Sequence, residues 1–426
     1  MLEHLKFTRL ANGIGILTFS KPEAQSVQLA IRVRVGSRNE TEALNGASHF
    51  IEHMLFKGTP SRSAKMISQT IEGVGGSINA FTDRDNTCYY TKVPYDKAKI
   101  AFDVLTDLFY NASFDAKEFD RERNVITEEI RMYDDQPDSV AMDQLIQQLW
   151  SGHPLGRPIL GPIDTIQSVS RKDILAYRKA NYIPSRTIYS FCGRIDHKTC
   201  VAMVSKSAGR LRNPSFVREA EVYSPAIPMD PFALTRREIQ QTQVAMGWRI
   251  PGFADKAGYP YALCALSALL GESMMSRLFQ SIRERRALCY NINSFTTLCN
   301  DNGALIIAAG CDPKKAYHGT KAILAEIRKL IEKPIPKAEF KRTIEYICGR
   351  FRLRMDASPM GWYAGRALFD RPMDPEADIA ALRALTPQDL QTAAATYLRP
   401  EQLALSIVAP THAQHGAAEW CSLMNY

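Results

Sequence analysis

Two stretches of this chain occur twice, and a chain that repeats itself in this way must fold as one unit used twice. Val27-Gln-Leu-Ala-Ile-Arg-Val-Arg-Val35 is matched by Thr242-Gln-Val-Ala-Met-Gly-Trp-Arg-Ile250, and both alternate as half-buried strands do. Ser77-Ile-Asn-Ala-Phe-Thr82 is matched by Asn291-Ile-Asn-Ser-Phe-Thr296 at nearly the same offset. A repeat this long means duplicated domains, not a solenoid. Helical periodicity covers Ala98–Tyr110, Asp138–Trp150 and Arg171–Ala180 in the first half, and Lys314–Glu332 and Lys337–Arg354 in the second. The predicted fold is therefore α+β: two tandem homologous domains, residues 1–209 and 237–426, each a mostly antiparallel sheet covered by helices. Residues 210–236, with Pro214, Pro225, Pro228 and Pro231, read as a stiff connector.

The chemistry is concentrated in His49-Phe50-Ile51-Glu52-His53-Met54-Leu55-Phe56-Lys57-Gly58. At about 100° per residue, His49, Glu52 and His53 fall within an arc of roughly 100°, and apolar side chains cover the rest of the helix. Two imidazoles four residues apart can reach one zinc ion, and the glutamate beside them can take a proton from an activated water. The order HxxEH inverts the HExxH pattern of zinc peptidases.

A catalytic zinc needs a third protein ligand. The other histidines, His4, His153, His197, His318, His412 and His415, are scattered or lie close to the C-terminus, in a tail that reads as loosely structured. The segment Asp115–Asp135 reads as a helix opened by a capping box, Asp115 with Glu118. Along it Glu122 and Glu129 share a face, while Glu128 points about 100° away from Glu129. Helical geometry favours Glu129 as ligand with Glu122 in support, without deciding alone.

HxxEH followed at long range by Glu128-Glu-Ile-Arg-Met-Tyr-Asp-Asp-Gln-Pro137 resembles the pitrilysin, insulin-degrading enzyme and mitochondrial processing peptidase family, and in size and layout its bacterial processing-peptidase-like members. Gly152–Gly161 and Asn181–Pro184 are similar to family segments as well. The resemblance implies zinc held by His49, His53 and Glu129, Glu52 as general base, and Glu122 orienting the site. The second half has no HxxEH; its equivalent helix reads Tyr261–Leu270. Ser276–Tyr290 instead resembles the family stretch carrying an arginine and a tyrosine seven residues apart, which fall on Arg283 and Tyr290. A tyrosine hydroxyl can donate to an oxyanion, and a guanidinium can hold the neighbouring peptide. Ala287 stands where the family usually has glycine, and Cys289 occupies a small-residue position. Because the pair is far from the zinc helix in sequence, a competent site implies two halves facing each other across a chamber.

Gly75-Gly-Ser-Ile-Asn-Ala-Phe81 reads as a glycine-opened edge strand able to accept an extended peptide as an added strand. Gly76, Ser77, Asn79 and Ala80 are the candidate substrate-binding residues, the resemblance placing Asn79 and Ala80 nearest the scissile bond. Asn293 matches Asn79 in the half without the zinc motif, so a turn or strand-pairing role competes with substrate contact.

Together these features predict a zinc-dependent endopeptidase acting on extended, unfolded peptides, with one zinc per chain. The competing class is a non-catalytic scaffold or peptide-holding subunit. A homodimer is the expected assembly, a heterodimer with a related subunit the other arrangement. At 426 residues and 45% apolar content, each half can bury its own core. The opening Met-Leu-Glu-His-Leu-Lys lacks a charged n-region followed by an apolar run, and the apolar run Tyr261–Leu270 is too short to span a bilayer, so neither a secretory signal nor a membrane partner is expected. Nine cysteines without a CxxC suit a reducing compartment, and cytosol is the expected location. The net charge of +8 is dispersed, which argues against nucleic acid as a partner.

Overall fold

The computed structural model describes residues 2–215, 217, 219–223, 230–254 and 260–426. Pro225 and Pro228 of the expected connector lie outside the described residues, and its last residues form the start of a strand rather than a linker. The strands are β1 (Leu5–Arg9), β2 (Gly15–Ser20), β3 (Ser26–Val33), β4 (Ser77–Thr82), β5 (Thr87–Pro94), β6 (Thr187–Gly193), β7 (Phe232–Arg237), β8 (Thr242–Pro251), β9 (Asn291–Leu298), β10 (Asn302–Cys311) and β11 (Leu403–Pro410). The helices that matter here are α1 (Ala47–Leu55), α2 (Ala64–Glu72), α3 (Ala98–Asn111), α4 (Ala116–Asp134), α5 (Pro137–Leu149), α6 (Ile163–Ser168), α7 (Arg171–Asn181), α8 (His197–Ala208), α9 (Tyr261–Gly271), α10 (Ala316–Glu332), α11 (Lys337–Ala357) and α12 (Met360–Leu368). Among the described residues no helix is long and apolar enough to cross a membrane.

The two sheets repeat one topology. The first runs β1-β2-β6-β3-β5-β4, the second β7-β11-β8-β10-β9. Among the described residues each contains a single parallel pair, β2 with β6 and β7 with β11, and every other pairing is antiparallel. The two sequence repeats are thus β3 with β8 and β4 with β9, and β4 and β9 are the corresponding sheet edges.

The compact units do not follow the halves of the chain. One comprises Met1–Ile130, Arg157–Glu221 and Met355–Asp374; the other comprises Arg131–Gly156, Val222–Arg354 and Pro375–Tyr426. The chain changes unit inside α4 and again inside α11.

In the first unit, Val27, Leu29, Ile31 and Val33 of β3 pack with Tyr89, Phe191, Phe102 and Phe109 in one buried cluster. Period two sends the intervening side chains to the opposite face, where α12 packs on β2, β3 and β6 and Tyr363 stacks on Phe19 at 5.3 Å. In the second unit, Val244, Met246, Trp248 and Ile250 of β8 join α9 and α10 in one core, while α5 packs on the other face against Ala245, Ala304 and Ala404. Small residues at those positions let a helix approach closely: the space above Gly247 is taken by Leu149, 3.2 Å from where a Cβ would stand. In each unit a helix drawn from the other half of the chain covers the second face of the sheet.

Candidate metal centre

The helix carrying the HxxEH residues is anchored at its start and along its length. Gly46, its N-cap, has φ +96, and a Cβ there would lie 2.4 Å from the Leu160 carbonyl oxygen, so the entry to α1 is closed to other residues. The first-turn N–H groups find their acceptor in Glu40, a buried carboxylate that accepts from Gly46 N and Ser48 N, both at 2.7 Å, and from Asn45 Nδ2 at 3.0 Å. A side chain from the preceding loop therefore performs the capping that the helix's own N-cap residue cannot. Phe50, Ile51, Met54 and Leu55 are fully buried, each worth about 1.5–3 kcal/mol of transfer free energy.

The stacking of Phe50 on Phe119, with ring centroids 4.4 Å apart, fixes α1 against α4. On α4 the buried Phe119, Ile126 and Ile130 make the apolar stripe, and Glu122 and Glu129 stand at its border facing α1. Asp115 caps this helix, accepting from Lys117 N at 2.9 Å and Glu118 N at 3.1 Å. The expected capping box is only half made, because Glu118 pairs with Arg121 one turn on instead of reaching back.

Packing then brings His49, His53 and Glu129 together. Glu129 Oε2 lies 3.7 Å from His49 Nε2 and 3.4 Å from His53 Nε2, and one donor atom from each residue lies within 4.8 Å of the others. Two donors about 2.1 Å from a shared tetrahedral ion stand about 3.4 Å apart, so the trio fits a zinc-sized cation with a two-imidazole, one-carboxylate donor set. His53 Nδ1 donates to Glu122 Oε2 at 3.0 Å, which turns Nε2 toward the shared point, and Lys57 Nζ donates to Glu122 Oε1 at 2.5 Å. Glu122 is thereby held at both oxygens. His49 Nδ1 is buried without a hydrogen-bond partner among the described residues.

The electrostatics follow from burial and these pairings. Burial pushes His49 down to about 4, helped by the charge of His53. Burial also opposes charge on His53, but the carboxylates of Glu122 and Glu129 outweigh it and raise His53 to about 9. The hydrogen bond with His53 lowers Glu129 despite its partial burial. Glu122 is partly desolvated, yet His53 and Lys57 bring it below its ordinary value. Glu52 is raised by burial. Its carboxylate Oε2 accepts from Thr82 Oγ1 at 2.5 Å.

Of the candidate peptide-binding residues, Ser77, Asn79 and Ala80 lie on β4, an edge of the first sheet, and Gly76 immediately precedes it. Gly75 has φ +79, and a Cβ on Gly76 would lie 2.7 Å from Val93 and 2.9 Å from two carbonyl oxygens, which explains the glycine pair that opens the strand. Ser77, Asn79 and Phe81 are exposed, while Ile78, Ala80 and Thr82 face the helices. Asn79 Oδ1 accepts from the Ala80 N–H at 2.8 Å, a local contact of the kind the sequence repeat suggested. Arg283 and Tyr290 belong to the second unit. Arg283 sits in the single π-helical turn Phe279–Glu284, its guanidinium 4.5 Å over the Phe279 ring and 5.8 Å from the Tyr290 ring centroid. Tyr290 is 76% exposed. Between them Ala287 adopts φ +47, the left-handed conformation for which glycine is the natural residue. The C-terminal segment, read as loose, is ordered: His415 stacks on Tyr317 at 4.2 Å and Ala417–Ser422 is helical.

Residues 15–163 match the insulinase family of peptidases, peptidase family M16, and residues 168–347 match the peptidase M16 inactive domain. The chain belongs to the insulinase family of peptidases. An uncharacterised zinc protease of Bacillus subtilis, YmxG, is 34% identical over 82% of this chain and 83% of its own length. The uncharacterised zinc protease Rv2782c of Mycobacterium tuberculosis is 36% identical over 72% of this chain and 70% of its own. Among solved structures, a protease from Helicobacter pylori superposes with a TM-score of 0.90 at 23% identity, covering 95% of this chain and 99% of that one. A peptidase M16 inactive domain from Pseudomonas fluorescens gives 0.87 at 19% identity, over 97% and 100% of the two chains. These two show the shared fold.

In this insulinase-family chain three contacts escaped the sequence reading. Lys57 lies in the turn that follows α1, two residues past Leu55, and its closeness in sequence to His53 was the available signal. Thr82 follows Ile78 and Ala80 with period two. Glu40 carries no local signal, because its partners are set by how the loop folds back onto α1.

Proposed function

We propose that the chain is a zinc endopeptidase that hydrolyses extended, unfolded peptides. The observation that carries this reading is the convergence of His49, His53 and Glu129 on one point with the Glu52 carboxylate beside it on the same helix. When bound there, zinc supplies Lewis acidity to water and to the peptide carbonyl. Glu52 takes the proton from the attacking water and passes it to the leaving amine; burial, by raising its carboxyl, makes it the stronger base. Glu122 fixes His53 through Nδ1 and is itself steadied by Lys57. The free edge of β4 offers main-chain hydrogen bonds to a peptide strand through Gly76, Ser77, Asn79 and Ala80, a mode that reads extension rather than sequence. As the family resemblance implies, Tyr290 is assigned the oxyanion and Arg283 the peptide.

We expect a homodimer, with gel filtration of the active fraction as its check, and a cytosolic setting, supported by nine cysteines with no CxxC among them. The deciding experiment compares zinc per chain and cleavage of an unfolded-peptide library between the wild type and Glu52→Gln. One zinc in both, with turnover lost by about 10²–10⁴-fold in the variant, supports the reading. Zinc bound with nothing cut by the wild type puts the scaffold or missing-partner role in its place.

A further inference from the structure

Resting on the peptidase reading, we infer that Thr82 is a positioning residue for Glu52, joining the strand that takes the peptide to the group that takes the proton. Thr82 is the last residue of β4, and its hydroxyl donates to Glu52 Oε2 at 2.5 Å. Among the described residues this is the hydrogen bond that Glu52 makes, and Oε1 has no partner. The contrast is with Glu122, whose two oxygens are both engaged. A carboxylate pinned at both oxygens orients a neighbour; one pinned at a single oxygen is aimed, with the other oxygen left for a transferred proton.

The Thr82 side chain suits this task. It is β-branched and restricted at χ1, so the donor stays where the strand puts it, whereas a free glutamate would sample several rotamers. Its face of the strand is set by period two, with Ile78 and Ala80 packed into the buried cluster on the same side. The donor that aims the base and the peptide-accepting edge therefore share one rigid element, β4, while the base itself stands on α1. A peptide paired to β4 in a given register meets a proton acceptor whose direction is set by that same strand.

The bland reading is that the Thr82 hydroxyl merely finds a nearby acceptor. Thr82→Val keeps the shape and removes the donor, and Thr82→Ser restores the donor on a smaller side chain. Wild type, both variants and Glu52→Gln are compared for kcat and KM on one peptide, cleavage profile on the library, zinc per chain and thermal midpoint. Peptide affinity is measured separately by fluorescence anisotropy, with and without Thr82→Val, in the zinc-loaded Glu52→Gln protein. The inference expects Thr82→Val to lower kcat by about 10- to 100-fold, as a small misplacement of a catalytic group does. KM, zinc content, cleavage profile and peptide affinity stay unchanged, and Thr82→Ser returns kcat to near the wild-type value. Wild-type kcat in Thr82→Val overturns the inference, as does a loss that tracks zinc content, peptide affinity or thermal midpoint, or a Thr82→Ser protein no better than Thr82→Val. A wild type that holds zinc but cuts nothing overturns the peptidase reading first, and this inference with it.

Discussion

At the scale of single residues the site sets a proton against a metal ion. His49 is lowered to about 4 and is neutral at pH 7, Glu129 is lowered and ionised, and His53, raised to about 9, holds a proton between two carboxylates. A metal ligand must be neutral imidazole, so the proton on His53 competes with zinc at every pH below about 9. Zinc affinity of the apoprotein should rise with pH up to that value and level off beyond it. Calorimetry at pH 7 in buffers of different ionisation heat should count about one proton released per zinc; none released would mean that His53 is neutral in the apoprotein. Lys57 contributes through Glu122: Lys57→Met should weaken zinc binding by about tenfold in a chelator competition, and an unchanged affinity would reduce Lys57 to a surface partner. Which histidines could meet was legible from the sequence, because a helix face is a local property. Which oxygen of which glutamate they meet was not, since that depends on how α4 lies against α1.

Among the elements, α1 shows how a helix that supplies ligands is held still. Its N-cap is a glycine with no side chain to offer, and Glu40 fills that role from outside the helix. Glu40→Ala should leave two buried N–H groups without an acceptor and cost about 2–4 kcal/mol in urea unfolding of the apoprotein, with weaker zinc binding as a second effect. Wild-type stability would show that water substitutes for the carboxylate. The edges β4 and β9 illustrate what repetition of an element does and does not preserve. Both are strands at the same position in their sheets, and each opens the repeated Ser/Asn-Ile-Asn pattern, yet only β4 ends beside a histidine-bearing helix. Alternation gave these strands away in the sequence. The single π-helical turn before Tyr290 and the positive φ of Ala287 carry no periodic signal, and the sequence offered there only the departure from glycine.

For the molecule as a whole, the two sheets share one strand order and one parallel pair each, so the repeated strands of the sequence correspond to repeated architecture. The exchange of helices was hidden. α5 and α12 read as ordinary amphipathic helices, and nothing in an amphipathic stripe states which sheet it will cover. The consequence is that neither contiguous half holds everything its own sheet needs. A fragment of residues 1–209 lacks α12, which covers β2, β3 and β6, and carries α5 without the sheet it packs on. It should sediment as aggregate and bind a hydrophobic dye, while co-expression with residues 210–426 should restore soluble protein; a monomeric, cooperatively melting 1–209 would contradict this. The same exchange has a consequence during synthesis. Roughly 170 residues separate the end of β6 from α12, and a ribosome adding ~5–20 residues per second takes about 10–35 s to make them. For that interval the chain holds β2, β3 and β6 without the helix that buries their second face, so the order of the helices leaves apolar surface uncovered until synthesis is nearly complete.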